Sequence, residues 1–551
     1  MAVSEYRFPG TFGNMFDEIV LTYPENEAIV SGGQRINYRE YKEKVDNLAQ
    51  GLLSLGVKRS DKVSILMANY PEWLYSMFAI AKIGAVIVPI NTRYKTAELQ
   101  YILRHSETIT LIMMDEFLNI DYLKMLAEIC PPVSQRPPGK IESAGLPDLK
   151  NVIILGKRKL PGTFLFQEIM AKGEGKKFQG ELEKIQSSLD ANDVVNIVYT
   201  SGTTGDPKGA MLTHRGIMNN AYNCGEIQKL TRKDRLLIYV PLFTAFGCVN
   251  MAMAAITHGA TSVLTPSFEA KTSLEIIQKE RVTCIYNVPT MLTMLLEIPS
   301  LSNYDLEYLR TGLIGGAPLA ENLLLETVHK LGIKELTVGY GLTETCAIST
   351  QTRVGDSIEL MAKTVGRPMP GVEMKCVDPA TGKELGFGQQ GEICIRGFNI
   401  MKGYYKNPGE TAKTIDRDGW LFSGDLGTVE KNGYVTITGR KKDMIISGGF
   451  NVYPAEVEDY LFRHPKVKQV QVVGVPDHKM GEVALAFVAV KEGMSCTEKE
   501  IITFCQGKIA GYKIPKYVRF ISEFPLTSSG KIQKFKLKEM VEKEGGAISK
   551  I

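Results

Sequence analysis

The stretch Thr200–Gly209, TSGTTGDPKG, combines three glycines, four hydroxyl side chains and one lysine. It follows Val194–Tyr199, an apolar run typical of a buried strand. Glycines let backbone N–H groups turn towards an anion, the hydroxyls add donors, and Lys208 adds a cation on a flexible stem. The pattern therefore predicts a loop that covers phosphates. A plain turn between two strands is the alternative, because Gly, Thr and Pro clusters are common in loops.

This loop differs from the phosphate loop GxxxxGK that is followed by Ser or Thr. Lys208 comes directly after Pro207, and neither Ser nor Thr comes next. The residues Ala210–Leu212 are typical of a short strand and not of a helix start. We therefore expect a flexible flap between two strands, suited to phosphates that arrive and leave.

Apolar runs alternate with helical segments on both sides of this loop. The run Lys62–Met67, a helix that begins at Pro71, and the run Ala85–Asn91 form the first such unit. The same alternation recurs between Leu236 and Gly341. Strands that are apolar throughout and separated by helices are typical of parallel sheets covered on both faces. The sequence therefore predicts an α/β fold in this part of the chain.

The pattern changes after Glu344. Short strand-like segments with Gly or Asn turns predict a β-rich subdomain. The charged segment Gly439–Asp443 marks a further boundary, and the residues beyond it could form a small α+β domain of about a hundred residues. A chain of 551 residues is too long for one hydrophobic core, so several folding units are expected.

The composition is that of an ordinary globular protein, with 44% apolar and 23% charged residues. A net charge of +4 is too small to suggest nucleic acid as a partner. The nine cysteines show no CxxC pair, which favours reduced thiols and a cytoplasmic location. We find no signal-peptide pattern and no apolar stretch long enough to span a bilayer. The C-terminal Ser549–Ile551 resembles a peroxisomal address, which is the alternative location.

The phosphate loop and further motifs resemble the adenylate-forming superfamily, which includes acyl- and aryl-CoA synthetases, beetle luciferases and the adenylation domains of peptide synthetases. The resemblance covers nearly the whole chain, and the motifs follow the order of the family. Besides TSGTTGDPKG they are GGAPL (Gly315–Leu319), GYGLTET (Gly339–Thr345), GWLFSGDLG (Gly419–Gly427), GRKKDMIISGGFNVYPAEVE (Gly439–Glu458) and PLTSSGK (Pro525–Lys531).

The resemblance implies a multidomain α/β and α+β fold. Residues 1–438 would form a large N-terminal region with two helix-covered sheets and a β-barrel-like subdomain. Residues 439–442 would be a hinge, and residues 443–551 a small mobile C-terminal domain. The implied reaction joins a carboxylic acid to AMP with MgATP, releases pyrophosphate, and passes the acyl group to coenzyme A. The implied partners are these small molecules, with Mg²⁺ as cofactor, and the chain could form a homodimer.

Adenylation brings two anions together, so it needs cations and hydrogen-bond donors more than a general base. Lys531 resembles the family lysine that bridges the carboxylate and the α-phosphate, and an ordinary surface lysine is the alternative. Glu344 resembles the carboxylate that holds Mg²⁺. Thr343 and Thr200 resemble donors to the phosphates. Lys531, Glu344, Thr343 and Thr200 are therefore the expected catalytic residues.

The resemblance also assigns the nucleoside contacts. Tyr340 resembles the aromatic side chain that lies on the adenine, Asp425 the carboxylate that accepts from the ribose hydroxyls, and Arg440 a second group at the ribose. The full set of residues expected to bind ATP is Thr200, Ser201, Gly202, Thr203, Thr204, Gly205, Lys208, Gly315, Gly316, Ala317, Gly339, Tyr340, Gly341, Thr343, Asp425, Arg440 and Lys531.

The acceptor site is expected in the C-terminal domain. Ser447, Gly448, Gly449 and Phe450 correspond to the family segment along the pantetheine of coenzyme A, and a bare turn is the alternative. Coenzyme A is the expected acceptor because no carrier-protein attachment sequence is present. Lys442 corresponds to the pivot of the hinge.

The expected acyl pocket is apolar or small, without Lys or Arg, and favours an uncharged tail that is medium-chain, branched, alicyclic or aromatic. Its expected residues are Phe243, Thr244, Phe246, Asn287, Gly315 and Gly341. Many relatives have a His where Thr244 stands, which argues against a close luciferase or coumarate ligase and leaves the acid undetermined. The alternative functions are an adenylate-forming enzyme that does not use coenzyme A and a nucleotide-binding or ATP-hydrolysing protein.

Overall fold

The computed structural model describes residues 6–200, 207–317, 319, 321–448, 450–526 and 532–543. Two helix-covered sheets account for most of the N-terminal part. The larger has nine strands, of which the interior ones are parallel and the edge pairs antiparallel. In spatial order they are Arg367–Pro368, Thr350–Gln351, Glu335–Tyr340, Thr311–Gly315, Cys284–Asn287, Arg235–Ile238, Thr261–Leu264, Glu27–Ser31 and Gln34–Asn37.

The second sheet has seven strands and is also parallel in its interior. Its edge is an antiparallel pair, Val194–Thr200 with Lys208–Thr213, and the phosphate loop connects the two. The predicted strand at Ala210–Leu212 is therefore confirmed, and no helix begins directly behind the loop. In spatial order the strands are Lys208–Thr213, Val194–Thr200, Val86–Pro89, Lys62–Leu66, Thr108–Met114, Asn151–Leu155 and Phe164–Leu165.

The predicted β-rich subdomain is a four-stranded antiparallel sheet. Its strands follow one another in the chain: Val372–Val377, Gly391–Gly397, Leu421–Val429 and Val435–Arg440. The C-terminal sheet has five strands, Phe450–Val452, Ile445–Ser447, Gly481–Val490, Val467–Asp477 and Tyr517–Phe520. A small two-stranded ribbon joins Glu116–Phe117 to Ile120–Asp121.

Local sequence explains where the helices begin. Pro71 occupies the first turn of its helix, where its missing N–H has no intrahelical acceptor. Asn37 caps the helix Tyr38–Ser54 by accepting from the backbone N–H of Glu40. No helix in the described ranges is long and apolar enough to cross a membrane. The α-helices are Phe12–Thr22, Tyr38–Ser54, Pro71–Lys82, Thr96–His105, Tyr122–Ile129, Phe166–Glu174, Gln179–Ser187, His214–Ile227, Met253–Thr257, Ala270–Glu280, Pro289–Leu296, Glu321–Leu331, Ile358–Lys363, Pro408–Thr414, Pro454–Phe462, Glu498–Cys505 and Lys534–Lys543.

The hydrophobic cores divide the chain. One contiguous core runs from Phe8 to Val435 and includes both large sheets. Separate cores cover the two faces of the C-terminal sheet, beginning at Ile445 and at Val473. A short 3₁₀ turn, Lys441–Asp443, with no buried residue connects the two parts. This arrangement supports the expected division, although the boundaries 1–438, 439–442 and 443–551 stay a prediction.

Candidate active site

The candidate site begins where neighbouring parallel strands of the larger sheet end. The register pairs Asn287 with Ile314 and Gly315 with Gly339, so the carboxyl ends of three strands lie side by side. Ligands of open α/β sheets bind at this edge. Gly316, directly after its strand, has φ +89°, which favours glycine over any residue with a Cβ. The motifs GGAPL and GYGLTET therefore meet at one edge, as the resemblance implies.

Asp425 comes to this edge from the four-stranded sheet. The hydroxyl of Tyr340 donates to its Oδ2 at 2.7 Å, and the Nε of Arg440 lies 2.9 Å from its Oδ1. Burial, followed by the charge of Asp425, raises the pKa of Tyr340 well above its usual value, so the phenol keeps its proton and stays a donor. The structure thus joins Tyr340 to Asp425 and Arg440, which pair across two neighbouring strands, and all three were assigned to the nucleoside.

Glu344 lies in the 3₁₀ turn Thr343–Thr345, and Tyr404 orients its side chain. The hydroxyl of Tyr404 donates to Glu344 Oε1 at 2.7 Å, and the Met401 N–H donates to the Glu344 carbonyl. Burial and the charge of Glu344 raise the pKa of Tyr404. The carboxylate therefore has a fixed orientation at a partly exposed position.

The turn after Glu344 has an unusual backbone. Cys346 and Ala347 both have positive φ, at 53° and 77°, a conformation that costs free energy in residues with a Cβ and is often found at functional sites. Asn220 stabilises it, because its Nδ2 donates to the carbonyl of Cys346 at 2.6 Å. A Cβ at Gly341 would lie 2.2 Å from the Ala347 carbonyl oxygen. Only glycine fits there, which explains this residue of the GYGLTET motif.

The two ends of the phosphate loop are held by neighbouring elements. The Nζ of Lys208 lies 2.8 Å from Glu410 Oε2 and 5.0 Å from the centre of the Tyr404 ring. On the same side, the hydroxyl of Tyr101 donates to the Pro207 carbonyl at 3.2 Å. At the other end, Thr200 Oγ1 donates to the Lys208 carbonyl at 3.4 Å. Lys208 is thus close to Tyr404, the residue that orients Glu344.

Asn287, Gly315 and Gly341 of the expected acyl pocket lie at or directly after these strand ends. Thr244 has a structural role, because its hydroxyl donates to the Pro241 carbonyl at 2.7 Å and accepts from the Gly247 N–H at 3.0 Å. It thereby caps the π-helix Ala245–Ala252, a rare element that is frequent at functional sites. Phe246 follows within that helix, and a Cβ at Gly315 would lie 4.0 Å from its ring.

The remaining pocket residues are buried. Phe243 is 8% exposed and Asn287 is 1% exposed. The Asn287 Oδ1 accepts from the Tyr239 hydroxyl at 2.5 Å, so its amide belongs to a contact inside the sheet. The apolar character expected for the pocket therefore depends mainly on Phe246 and the two glycines.

Among the described acceptor residues, Ser447 and Phe450 belong to strands of the C-terminal sheet, and Gly448 follows Ser447 in a turn. Ser447 is buried, Gly448 has φ +58°, and its N–H donates to the Met480 carbonyl. The Phe450 ring is 58% exposed and stacks on Tyr512, with ring centres 4.8 Å apart. The described part of this segment thus presents an aromatic surface next to a tight turn.

Some expected site residues lie outside the described residues, and nothing structural is stated about them. They are Ser201, Gly202, Thr203, Thr204, Gly205, Gly449 and Lys531.

Several contributors were not identified from the sequence. Three residues outside the motifs orient the site: Tyr404, Asn220 and Glu392. Glu392 Oε2 lies 2.8 Å from Lys441 Nζ, and its Oε1 accepts from the Gly424 N–H. In the sequence, Tyr404 is marked only by a second tyrosine, Tyr405, and a preceding glycine. This composition is common in loops, so it does not indicate a site residue.

Comparisons with known proteins agree with this geometry. The model of the AMP-binding enzymes matches residues 16–405, and that of the AMP-binding enzyme C-terminal domain matches residues 456–531. YngI of Bacillus subtilis, whose name assigns it provisionally to the acyl-CoA synthetases, is 42% identical over 96% of both chains. The mitochondrial medium-chain acyl-CoA ligase ACSF2 of Bos taurus is 40% identical over 97% of this chain and 88% of its own.

Among solved structures, ATP-bound MatB from Rhodopseudomonas palustris superposes with a TM-score of 0.81 at 28% identity, over 96% of this chain and 99% of its own. The chain therefore belongs to the family of AMP-binding enzymes. Within that family it is an AMP-forming acyl-CoA ligase, an activity that uses ATP and coenzyme A.

Proposed function

We propose that the acid activated by this ligase is a medium-chain fatty acid. The expected acyl pocket supports this, because Phe246 is aromatic, Gly315 and Gly341 are small, and no Lys or Arg belongs to it. A charged group on the tail would be desolvated there without a counter-ion. The name of the bovine relative, a medium-chain acyl-CoA ligase, agrees with this choice. Branched, alicyclic and aromatic acids of similar size are the alternatives.

The nucleoside would be bound by the residues that meet at the strand ends. Asp425 would accept from the ribose hydroxyls, with its carboxylate oriented by Tyr340 and Arg440. The ring of Tyr340 would lie on the adenine. The Gly315–Ala317 turn would line the other side, where the absence of bulky side chains permits close approach. Binding in this position directs the α-phosphate towards the GYGLTET turn.

The phosphates would be bound by the loop from Thr200 to Lys208, with Thr343 as a further donor. The acid carboxylate then attacks the α-phosphate, and pyrophosphate leaves. Lys531 would offset the charge of the two anions during this step, and this assignment rests on the PLTSSGK motif alone. In the second step the thiol of coenzyme A attacks the acyl carbon, and AMP leaves. The expected pantetheine contacts are Ser447, Gly448, Gly449 and Phe450.

Glu344 fits a magnesium site that is completed by the nucleotide. Its carboxylate has a fixed orientation through Tyr404, and Mg²⁺ commonly takes only one or two protein carboxylates. The described residues contain no group of three or more His, Cys, Asp or Glu side chains that could hold an ion without the nucleotide. When bound, the ion would neutralise charge on the phosphates.

The two steps would use different faces of the C-terminal domain. The hinge at 439–442 would allow the change, with Lys442 as its exposed pivot. Arg440 and Lys441, the hinge residues directly before Lys442, are held to the large domain by Asp425 and Glu392. These ion pairs fix the N-terminal side of the hinge, so rotation would occur directly after them.

The proposed substrate is supported by the absence of Lys and Arg from the expected acyl pocket, and the proposed nucleotide site by the contact of Tyr340 with Asp425. The proposed function is tested by supplying the purified protein with ATP, Mg²⁺, coenzyme A and a series of carboxylic acids. We expect AMP, pyrophosphate and acyl-CoA in equal amounts, with the highest rate for acids of medium length. AMP and pyrophosphate without a thioester would indicate a different acceptor, and ADP with phosphate would indicate simple hydrolysis. A cytoplasmic location, the peroxisomal alternative and a homodimer stay predictions.

A further inference from the structure

A cluster of polar side chains is buried behind Phe246. Its members are fully shielded from solvent, and they come from the helix His214–Ile227 and its end, the π-helix, and two strands of the larger sheet. We call it the polar cluster, and it consists of Cys224, Gln228, Asn250, Tyr286 and Gln351.

The members of the polar cluster contact one another. The Tyr286 hydroxyl donates to Gln228 Oε1 and lies 3.5 Å from Cys224 Sγ. The same sulfur lies 3.6 Å from Asn250 Oδ1. Gln351 is anchored separately, because its Nε2 donates to Thr337 Oγ1 at 3.0 Å. Cys224, Gln228, Asn250 and Tyr286 therefore form a connected polar region inside an otherwise apolar core, to which Gln351 adds a further buried amide.

Its hydrogen bonding is incomplete. Gln228 Nε2, Asn250 Nδ2 and Gln351 Oε1 are buried and have no hydrogen-bond partner within the described residues. Buried polar atoms nearly always have a partner, so three such atoms in one cluster are exceptional. A region of this kind can accommodate a polar group, which would supply hydrogen-bond partners to these three atoms. A hydrocarbon tail placed there would leave the three atoms without partners, which is unfavourable.

Phe246 contacts the polar cluster and also belongs to the expected acyl pocket. Its ring stacks on that of Tyr286, with centres 5.8 Å apart and an angle of 25° between the planes. The same ring lies close to Gly315, where a Cβ would be 4.0 Å away. An acyl tail that enters past Gly315 therefore meets Phe246 first and the polar cluster next.

We propose that the polar cluster is the end wall of the acyl pocket and sets the upper limit of tail length. A tail that stops at Phe246 gains apolar contact, whereas each further methylene must lie against the amides of Gln228 and Asn250. The limit is thus set by polarity as well as by space. This inference rests on the proposed function, because it requires an aliphatic acid in this pocket.

The test measures acyl-CoA formation by the full-length protein with saturated acids from butyrate to palmitate. Two variants, Asn250→Leu and Gln228→Met, each replace an amide by an apolar side chain of similar size. We expect each to raise kcat/KM about tenfold for acids that are longer than the parent's best substrate by a few methylenes. The KM for ATP should stay unchanged. If one variant does not fold, the chain-length profile of the other variant decides the test.

Ser262→Ala is the matched control, because Ser262 is a buried residue of the same sheet whose hydroxyl also lacks a partner among the described residues. Its length profile should equal that of the parent. Unchanged profiles in both cluster variants would overturn the inference, and so would the same shift in Ser262→Ala. A parent that prefers acids with a terminal hydroxyl would also overturn it, because the cluster would then bind tails. A parent that activates no aliphatic acid would instead refute the proposed substrate.

Discussion

Replacing Tyr404 with phenylalanine tests the role of Glu344 without touching that residue. The substitution removes one hydroxyl, which donates to Glu344 Oε1 at 2.7 Å. It retains the ring that Lys208 lies over at 5.0 Å. A hydrogen bond to a charged group contributes about 1.5–3 kcal/mol. A free-energy change of about 1.4 kcal/mol corresponds to a factor of ten. Loss of this hydrogen bond should therefore lower the rate of adenylate formation, the step that needs an oriented Glu344, by roughly 10- to 100-fold.

The assay is acid-dependent exchange of pyrophosphate into ATP, measured over a range of Mg²⁺ concentrations. We expect Tyr404→Phe to lower the exchange rate and to raise the Mg²⁺ concentration needed for half the maximal rate. Tyr405→Phe is the control, since it removes a neighbouring hydroxyl that donates to Glu107 at 2.5 Å. Equal losses in the two variants, or a loss in Tyr404→Phe without any change in Mg²⁺ dependence, would refute the reasoning.

Three further predictions concern the loop, the core and the hinge. Tyr101→Phe removes the donor to the Pro207 carbonyl and should raise the KM for ATP about fivefold without changing thioester formation from pre-made adenylate; an unchanged KM would contradict this. Burial lowers the pKa of His214 to about 4, and its Nδ1 accepts from the Phe12 N–H, so the folded state requires neutral imidazole. The free energy of unfolding in urea should therefore fall as the pH falls from about 6.5 towards 4, and His214→Gln should flatten this decline if the reasoning holds. Lys442→Pro fixes φ near −65° and should preserve adenylate formation while abolishing thioester formation, and parallel loss of both would contradict the hinge.

The fold was predictable from the sequence because its signals are local. Apolar runs such as Val194–Tyr199 indicated buried strands, and the residues Ala210–Leu212 indicated a second strand after the phosphate loop in place of a helix start. Both were confirmed. The separate cores on either side of Lys441–Asp443 also agree with the charged composition of that segment.

Site residues could be predicted from the sequence only where they belong to a motif of the family. Tyr340 and Asp425 belong to motifs, but their contact depends on how the four-stranded sheet packs against the larger sheet, which no local pattern encodes. Tyr404 acts through a hydroxyl hydrogen bond to Glu344, and Asn220 acts through amide hydrogen bonds to three carbonyls of the turn, in both cases across the fold. The role of Thr244 as a helix cap was also missed, because a π-helix has no periodicity that marks its start.

The measurement that tests the central claim most directly follows an oxygen atom. Octanoate labelled with the heavy oxygen isotope in its carboxylate is incubated with the protein, ATP, Mg²⁺ and coenzyme A, and the products are separated for mass spectrometry. If the carboxylate attacks the α-phosphate, a labelled oxygen must appear in AMP when coenzyme A takes the acyl group. Label in inorganic phosphate, or octanoyl-CoA formed with unlabelled AMP, would contradict an acyl-adenylate intermediate.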